Sequence, residues 1–189
     1  MNIKIILGII ILWLGNFEAK AQSSSIFICK NGTISFFSET PLENIDAISN
    51  SLGAIINTTT NEVNFMVDIK SFKFKKPLMQ EHFNEKYMES DKYPVAVFKG
   101  KINDTIDWNQ DGSYNVAATG VLNIHNTPKS YTENATITIK NNTIIIEGAF
   151  NIKVADHNIE VPTLVVSKVA EVVNVKHKSV MVPYIAQKK

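Results

Sequence analysis

The sequence contains no arginine, so all 19 of its basic residues are lysine. Arginine is the side chain that usually makes bidentate contacts to phosphate, and its absence argues against recognition of nucleic acid. The 18 acidic residues nearly balance the lysines, which leaves a formal net charge of +1 and no basic face. We therefore expect no nucleic-acid partner.

Cysteine is almost as scarce, because Cys29 is the only one in the chain. A single cysteine excludes an internal disulfide, so the fold must depend on hydrogen-bonded ladders and an apolar core. Cys29 follows Ile26, Phe27 and Ile28, and we interpret it as a small buried apolar group rather than as a nucleophile.

Motifs for catalysis or metal binding are also missing. The sequence has no Gly-x-Ser-x-Gly elbow, no glycine-rich phosphate loop and no paired-cysteine motif. Glu81, His82 and Glu85 lie close together, but their spacing matches no strong zinc pattern and indicates a solvated helix face. His125 lies in a turn-like segment and is interpreted as making a structural hydrogen bond. We predict a protein that is not an enzyme, with no catalytic residue, no metal and no cofactor.

Residues 1–21 have the organisation of a secretory signal peptide. Lys4 precedes ten apolar residues, 5–14, a run that is too short to span a bilayer. Ala19 and Ala21 then form a small-x-small cleavage site. We expect export to the periplasm or the extracellular space, with residues 22–189 as one domain that has no stable membrane span. An uncleaved membrane anchor is the alternative.

Residues 22–189 carry repeated signals for β-strands with one apolar face. Apolar and polar side chains alternate, as expected for strands that face a core on one side and water on the other. The predicted strands are residues 33–38, 63–74, 94–102, 114–124, 135–139, 144–154 and 169–175, with a polar, lysine-rich tail after the last.

Two stretches have helical periodicity instead. Residues 38–43 have the pattern of a helix start, and Ile45, Ile48 and Leu52 then fall on one helical face. Residues 77–91 separate two predicted strands and place adaptable apolar side chains at helical spacing. These side chains are Met79, Phe83, Tyr87 and Met88, and they either form core under a loop or line the mouth of a cavity.

About eight antiparallel strands with apolar inner faces must pack as a sandwich or close as a barrel. Helical crossovers between the strands are missing, which argues against a parallel α/β sheet. A closed barrel of about eight strands can hold one small ligand in its interior. The residues themselves do not decide between an open and a filled interior.

Three short motifs stand out: Glu81-His82-Phe83, Lys92-Tyr93-Pro94 with Phe98, and GVLNIHNTPK at residues 120–129. In order and spacing they resemble those of the YceI-like family of exported bacterial proteins, which often has glycine at the position of Asn126. The resemblance covers residues 22–189. It implies an all-β, lipocalin-like antiparallel barrel of about eight strands, capped by one or two short helices, around a long apolar lumen.

Some members of that family hold a polyisoprenoid chain in the lumen. The resemblance therefore implies non-catalytic binding of an isoprenoid, quinone-like or fatty lipid, as a carrier, store or sensor in the cell envelope. The candidate ligand-binding residues are Phe65, Val67, Ile69, Phe72, Phe74, Met79, Phe83, Tyr87, Met88, Phe98, Leu122, Ile124, Ile137, Phe150 and Ile152. An envelope stress or interaction protein with a filled core, and a hydrolase or isomerase on a barrel scaffold, stay open as alternatives, as does a homodimer.

Overall fold

The computed structural model describes residues 25–39, 44–160 and 171–185, so the predicted signal peptide lies outside the described residues. Alternating apolar side chains produce long antiparallel strands over most of these ranges. The strands are β1 (Ile26–Ser38), β2 (Ile45–Asn57), β3 (Glu62–Asp68), β4 (Lys73–Phe74), β5 (Val95–Ile102), β6 (Gly112–Ile124), β7 (Thr127–Lys140), β8 (Thr143–Lys153) and β9 (Val172–Pro183).

Within the described residues, helical structure is confined to short segments. The helix α1 (Pro77–His82) continues directly into a π-helical turn, Phe83–Tyr87, and 3-10 turns form at Ile69–Ser71 and Val154–His157. In the described ranges, no helix has both the length and the apolar character needed to cross a membrane.

The strands close into an eight-stranded antiparallel barrel. Their order is β1-β9-β8-β7-β6-β5-β3-β2, and β2 pairs with β1 to complete the circle. The two-residue strand β4 adds to the edge of β2, where Phe74 lies opposite Ala47. The predicted all-β barrel fold is thereby confirmed, with α1 and its π-helical continuation between β4 and β5 at one end.

Two of the hairpins are closed by pairs of residues in the left-handed conformation. His125 and Asn126 have φ values of 51° and 53°, and Asn141 and Asn142 have values of 49° and 57°. Two-residue hairpins favour the type I′ turn, because its twist matches that of the flanking strands. This turn requires positive φ at both of its central residues. Asparagine tolerates this conformation better than most residues, so Asn126 can occupy a position where glycine would be the simplest choice.

The helix predicted from Ile45, Ile48 and Leu52 is wrong, because these residues belong to β2; residues 40–43 lie outside the described residues. Ser49 and Leu52 both face the barrel interior, although they are three residues apart. The two residues between them lie opposite a single residue of β1, which makes a β-bulge. The bulge reverses the inward–outward alternation, so Ile45 and Leu52 both line the cavity whereas Ile48, which shares their predicted helical face, is 45% exposed.

Two strand boundaries also differ from those predicted. The strand expected over residues 63–74 is broken after Asp68, whose side chain accepts a hydrogen bond from the Lys70 N–H at 2.9 Å and so caps the 3-10 turn. The last strand does not give way to a polar tail after Val175 but continues to Pro183. Residues 169 and 170 of that prediction lie outside the described residues.

The interior of the barrel has two different halves, which we call the packed half and the cavity half. In the packed half, aliphatic side chains from different strands fill the space between the walls. The most deeply buried of them, at 1% exposure or less, are Ile56, Ile137, Ile144 and Met181. In the cavity half, beside α1, the walls enclose open space, and this half carries the candidate site.

Candidate functional site

The cavity has a volume of about 530 Å³ and receives side chains from all eight strands of the barrel. Its wall is mainly aromatic and aliphatic, with phenylalanines from β1, β3, β4, β5 and β8. Its lysine, histidine and glutamate side chains lie in two places. Lys76 and His82 belong to the segment around α1, whereas Glu133 and His177 belong to the strands β7 and β9.

Fourteen of the fifteen residues proposed from the sequence lie on the wall of this cavity. They are Phe65, Val67, Ile69, Phe72, Phe74, Met79, Phe83, Tyr87, Met88, Phe98, Leu122, Ile124, Phe150 and Ile152. Ile137 is the exception, because it is 1% exposed and belongs to the packed half. That any of these residues binds a ligand stays a prediction.

Sequence reasoning missed two parts of the wall. The first is formed by Ile34, Phe36 and Leu52 on β1 and β2, where the β-bulge hid the alternation. The second is formed by β9, where Val173, Val175 and His177 face inward while Lys176 and Lys178 face outward. The alternation of residues 172–181 was the signal that could have revealed this wall.

A cluster of four phenylalanine rings joins residues 77–93, which we call the cap, to the barrel wall. Phe83, in the π-helical turn, has its ring centroid 5.4 Å from that of Phe36, 5.8 Å from that of Phe72 and 5.0 Å from that of Phe74. Such offset and tilted arrangements are the favourable ones for aromatic pairs. The cap is therefore held over the cavity by apolar contacts.

A second contact fixes the far end of the cap to the β6–β7 hairpin. The Nε2 atom of His125 lies 2.9 Å from Oε2 of Glu89, and the Tyr93 ring packs edge-on against the imidazole at 4.2 Å. The structural hydrogen bond predicted for His125 is confirmed. Lys70 and Asp91 form a further ion pair close to this end of the cap.

The three polar residues of the predicted helix face separate in the structure. Glu81 and Glu85 are exposed, as expected for a solvated face, whereas His82 is half-buried and lies on the cavity wall. In the part of the chain that the structure describes, no three histidine, cysteine, aspartate or glutamate side chains are grouped so that they could hold a metal ion.

The inner end of the cavity, where it meets the packed half, contains a buried acid–base pair. Nε2 of His177 lies 2.5 Å from Oε1 of Glu133, and the two side chains are 5% and 11% exposed. Phe65 and Phe150 pack their rings edge-on against the imidazole at 5.1 and 6.3 Å. We call Glu133 and His177 the floor pair.

Another histidine lies beside the cavity, behind Tyr131. The His157 side chain is fully buried, and its Nδ1 atom lies 3.0 Å from the carbonyl oxygen of Thr127. Its ring stacks on that of Tyr131, a cavity residue, with centroids 6.0 Å apart. Burial lowers the pKa of His157 because a charged imidazolium would lose its hydration there.

Comparison with known proteins identifies relatives of this architecture. The sequence model of the YceI-like domain family matches residues 19–181. No curated protein sequence matches the chain. A polyisoprenoid binding domain from Saccharophagus degradans, described as implicated in plant cell wall breakdown, superposes with a TM-score of 0.71 at 15% identity, over 85% of this chain and 99% of that one.

Two further solved structures have similar folds. Burkholderia cenocepacia BcnA superposes with a TM-score of 0.66 at 20% identity, over 79% of this chain and 95% of its own. The YceI protein of Campylobacter jejuni gives a TM-score of 0.55 at 16% identity, over 80% of this chain and 85% of its own. At these identities the likeness establishes the shared fold.

Proposed function

The chain belongs to the YceI-like family, and from this premise we propose that its cavity binds the apolar chain of a lipid without catalysing a reaction. The observation that carries the proposal is the cavity itself, with about 530 Å³ enclosed by aromatic and aliphatic side chains. This volume lies within the range of roughly 300–1,000 Å³ that is usual for small-molecule sites. The chemical classes we propose are isoprenoid, quinone-like and fatty lipids.

The energetics of burial support an apolar ligand. Each methylene group moved from water into the cavity contributes about 0.8 kcal/mol, so a fifteen-carbon chain gains about 12 kcal/mol before the cost of association. Binding of useful strength therefore needs no ion pair, which is consistent with a protein that contains no arginine. The polyisoprenoid binding domain of Saccharophagus degradans, which shares this fold, supports the isoprenoid class.

We further propose that the protein acts in the cell envelope, where it carries, stores or senses its lipid. The signal-like residues 1–21 support export. A water-insoluble chain in such a compartment needs a protein that shields it from water, and a capped barrel provides that shield.

The experiment that tests the proposal fills the cavity from one wall. Ala96 faces the cavity on β5, and Val95, its neighbour, faces solvent. We expect delipidated wild-type protein to take up one molecule of the fifteen-carbon isoprenoid alcohol farnesol, as measured by native mass spectrometry. Ala96→Trp should reduce uptake at least tenfold because the indole occupies the lipid's space, whereas the control Val95→Trp should leave it unchanged.

Two results would contradict lipid binding in this cavity. One is the absence of any bound farnesol on wild-type protein after delipidation and addition of the alcohol. The other is equal uptake by Ala96→Trp and wild type, provided that the circular dichroism spectrum of the variant shows an intact β-barrel.

A further inference from the structure

We infer that the floor pair binds the polar end of the ligand, and that it selects a neutral hydrogen-bond donor, such as the hydroxyl group of a long-chain alcohol. The ligand would then lie with its polar end inward and its chain toward the cap. This inference rests on the proposed function, because it assigns the chemical class of the molecule that the cavity holds.

The two residues of the floor pair lie on strands that are separated by a third strand. Glu133 lies on β7 and His177 on β9, and β8 runs between them with Gly148 directly opposite His177. A Cβ atom at position 148 would overlap Oε1 of Glu133 and lie 2.5 Å from Nε2 of His177. The two side chains therefore meet in the space that a side chain of β8 would otherwise occupy.

A buried ionisable pair contributes little to stability compared with apolar side chains of similar size. Removing two charged groups from water costs more than their attraction returns unless further hydrogen bonds satisfy them. In the described residues, His177 is the only hydrogen-bond partner of the Glu133 side chain. A carboxylate can accept several hydrogen bonds, so Glu133 keeps capacity for a donor that comes from the cavity.

The chemistry of this floor selects the ligand's polar end by its hydrogen-bonding capacity. A carboxylate accepts hydrogen bonds, so it binds a hydroxyl or amide N–H, whereas an ionised carboxylate offers it no donor. An alcohol would therefore place its hydroxyl at the floor, where a deprotonated acid has no hydrogen to donate to Glu133.

The experiment compares three molecules that share one chain: farnesol, its methyl ether and the corresponding acid, farnesoic acid. The methyl ether keeps the oxygen but cannot donate a hydrogen bond. We expect wild-type protein to bind farnesol about tenfold or more tightly than the ether, as is usual for a hydrogen bond to a charged group. The acid should also bind more weakly than the alcohol. Titration at one pH above 7 measures all three dissociation constants.

A variant series assigns the selectivity to Glu133. Glu133→Gln should reduce the preference for farnesol over the acid, because the glutamine amide N–H can donate to the carboxylate of the acid, while the control Glu147→Gln, on the outer face of β8, should keep it.

The results separate this inference from the proposed function. If wild-type protein binds the alcohol and the ether equally, or binds the acid best, the role of the floor pair is refuted while lipid binding stands. If none of the three molecules binds, the proposed function fails as well. Because the alcohol–ether comparison uses wild-type protein, it stays decisive even if a variant does not fold.

Discussion

The packed half and the cavity half of the barrel are formed by the same eight strands but filled in opposite ways. Mainly isoleucine, valine and methionine, with Phe27, fill the packed half, although most of these side chains are smaller than the phenylalanines that surround the cavity. The phenylalanine rings of the cavity half pack against one another instead of filling the interior. Examples are Phe36, Phe72, Phe74 and Phe83. Large apolar side chains therefore do not guarantee a filled interior.

The boundary between the halves is made where bulky side chains lie over glycine. The ring of Phe98 covers Gly100, since a Cβ atom there would lie 2.6 Å from the ring. Gly100 in turn lies opposite Gly120 on β6, where a Cβ atom would lie 2.5 Å from the Gly100 Cα. The floor pair over Gly148 repeats this arrangement on the other side. We infer that the packed half supplies most of the stability and so allows the other half to stay open.

The largest expected effect on stability comes from replacing isoleucine by alanine, in one variant in the packed half and in another in the cavity half. Ile137→Ala removes a fully buried side chain from the packed half and should lower the free energy of unfolding by about 2–5 kcal/mol. Ile152→Ala removes the same atoms from the cavity wall, where one side of the side chain already faces open space, and should cost less. Urea denaturation of the two variants measures the difference.

The same two substitutions should affect ligand binding in the reverse order of their effects on stability. Ile152→Ala should weaken binding of farnesol because the alcohol loses contacts, whereas Ile137→Ala should leave the dissociation constant near that of wild type under conditions where the variant is folded. Equal losses of stability in the two variants would mean that the two halves are packed alike, and the comparison would have to be abandoned.

The barrel could be predicted because most strands keep a strict alternation. Val116, Ala118, Leu122 and Ile124 on β6 face inward as their spacing indicates. The alternation failed as a guide at Ser49 and Leu52, where pairing with β1 inserts an extra residue. A bulge depends on the partner strand, so the sequence of β2 alone does not reveal it.

The cavity wall could be predicted far better than its polar floor. Inward-facing phenylalanines of β3 and β5 follow from spacing alone, and the family resemblance indicated a lumen. Glu133 and His177 are 44 residues apart and meet only because Gly148, on the strand between them, has no side chain. Whether side chains fill the barrel interior at a given height depends on several strands together. Ile137 shows this, because it has the spacing of a cavity residue but is packed in the buried core.

An intermediate effect is expected from pH, and it should be confined to the cavity half. Burial lowers the pKa of His157 below its usual 6.5, and Lys129 adds to this effect while Asp156 and the Thr127 carbonyl oppose it. The unfolded chain then binds more protons than the folded one as the pH falls below 6.5. The contribution of neutral His157 to the free energy of unfolding should therefore be fully present above pH 6.5. It should be lost as the pH falls toward the pKa of His157 in the folded protein.

Urea denaturation between pH 7.5 and pH 5.5 tests this prediction. His157→Gln keeps a donor for the Thr127 carbonyl but removes the titration, so its stability should fall less over this range than that of wild type. Hydrogen exchange should show loosening near the start of β7 and the end of β8 while Ile144 and its neighbours stay protected. The same pH slope in variant and wild type would assign the acid sensitivity to another group.

The smallest expected effect concerns the contact between the cap and the β6–β7 hairpin. Glu89 is 44% exposed, so its pair with His125 is screened by solvent, and Glu89→Gln should cost less than about 1 kcal/mol. The loss should appear as faster hydrogen exchange in residues 77–93, with no change in the packed half. Glu85→Gln, on the exposed face of the cap, is the matched control. A loss of several kcal/mol in Glu89→Gln would instead mean that the cap unfolds together with the barrel, and that the cavity half is as much a part of the stable core as the packed half.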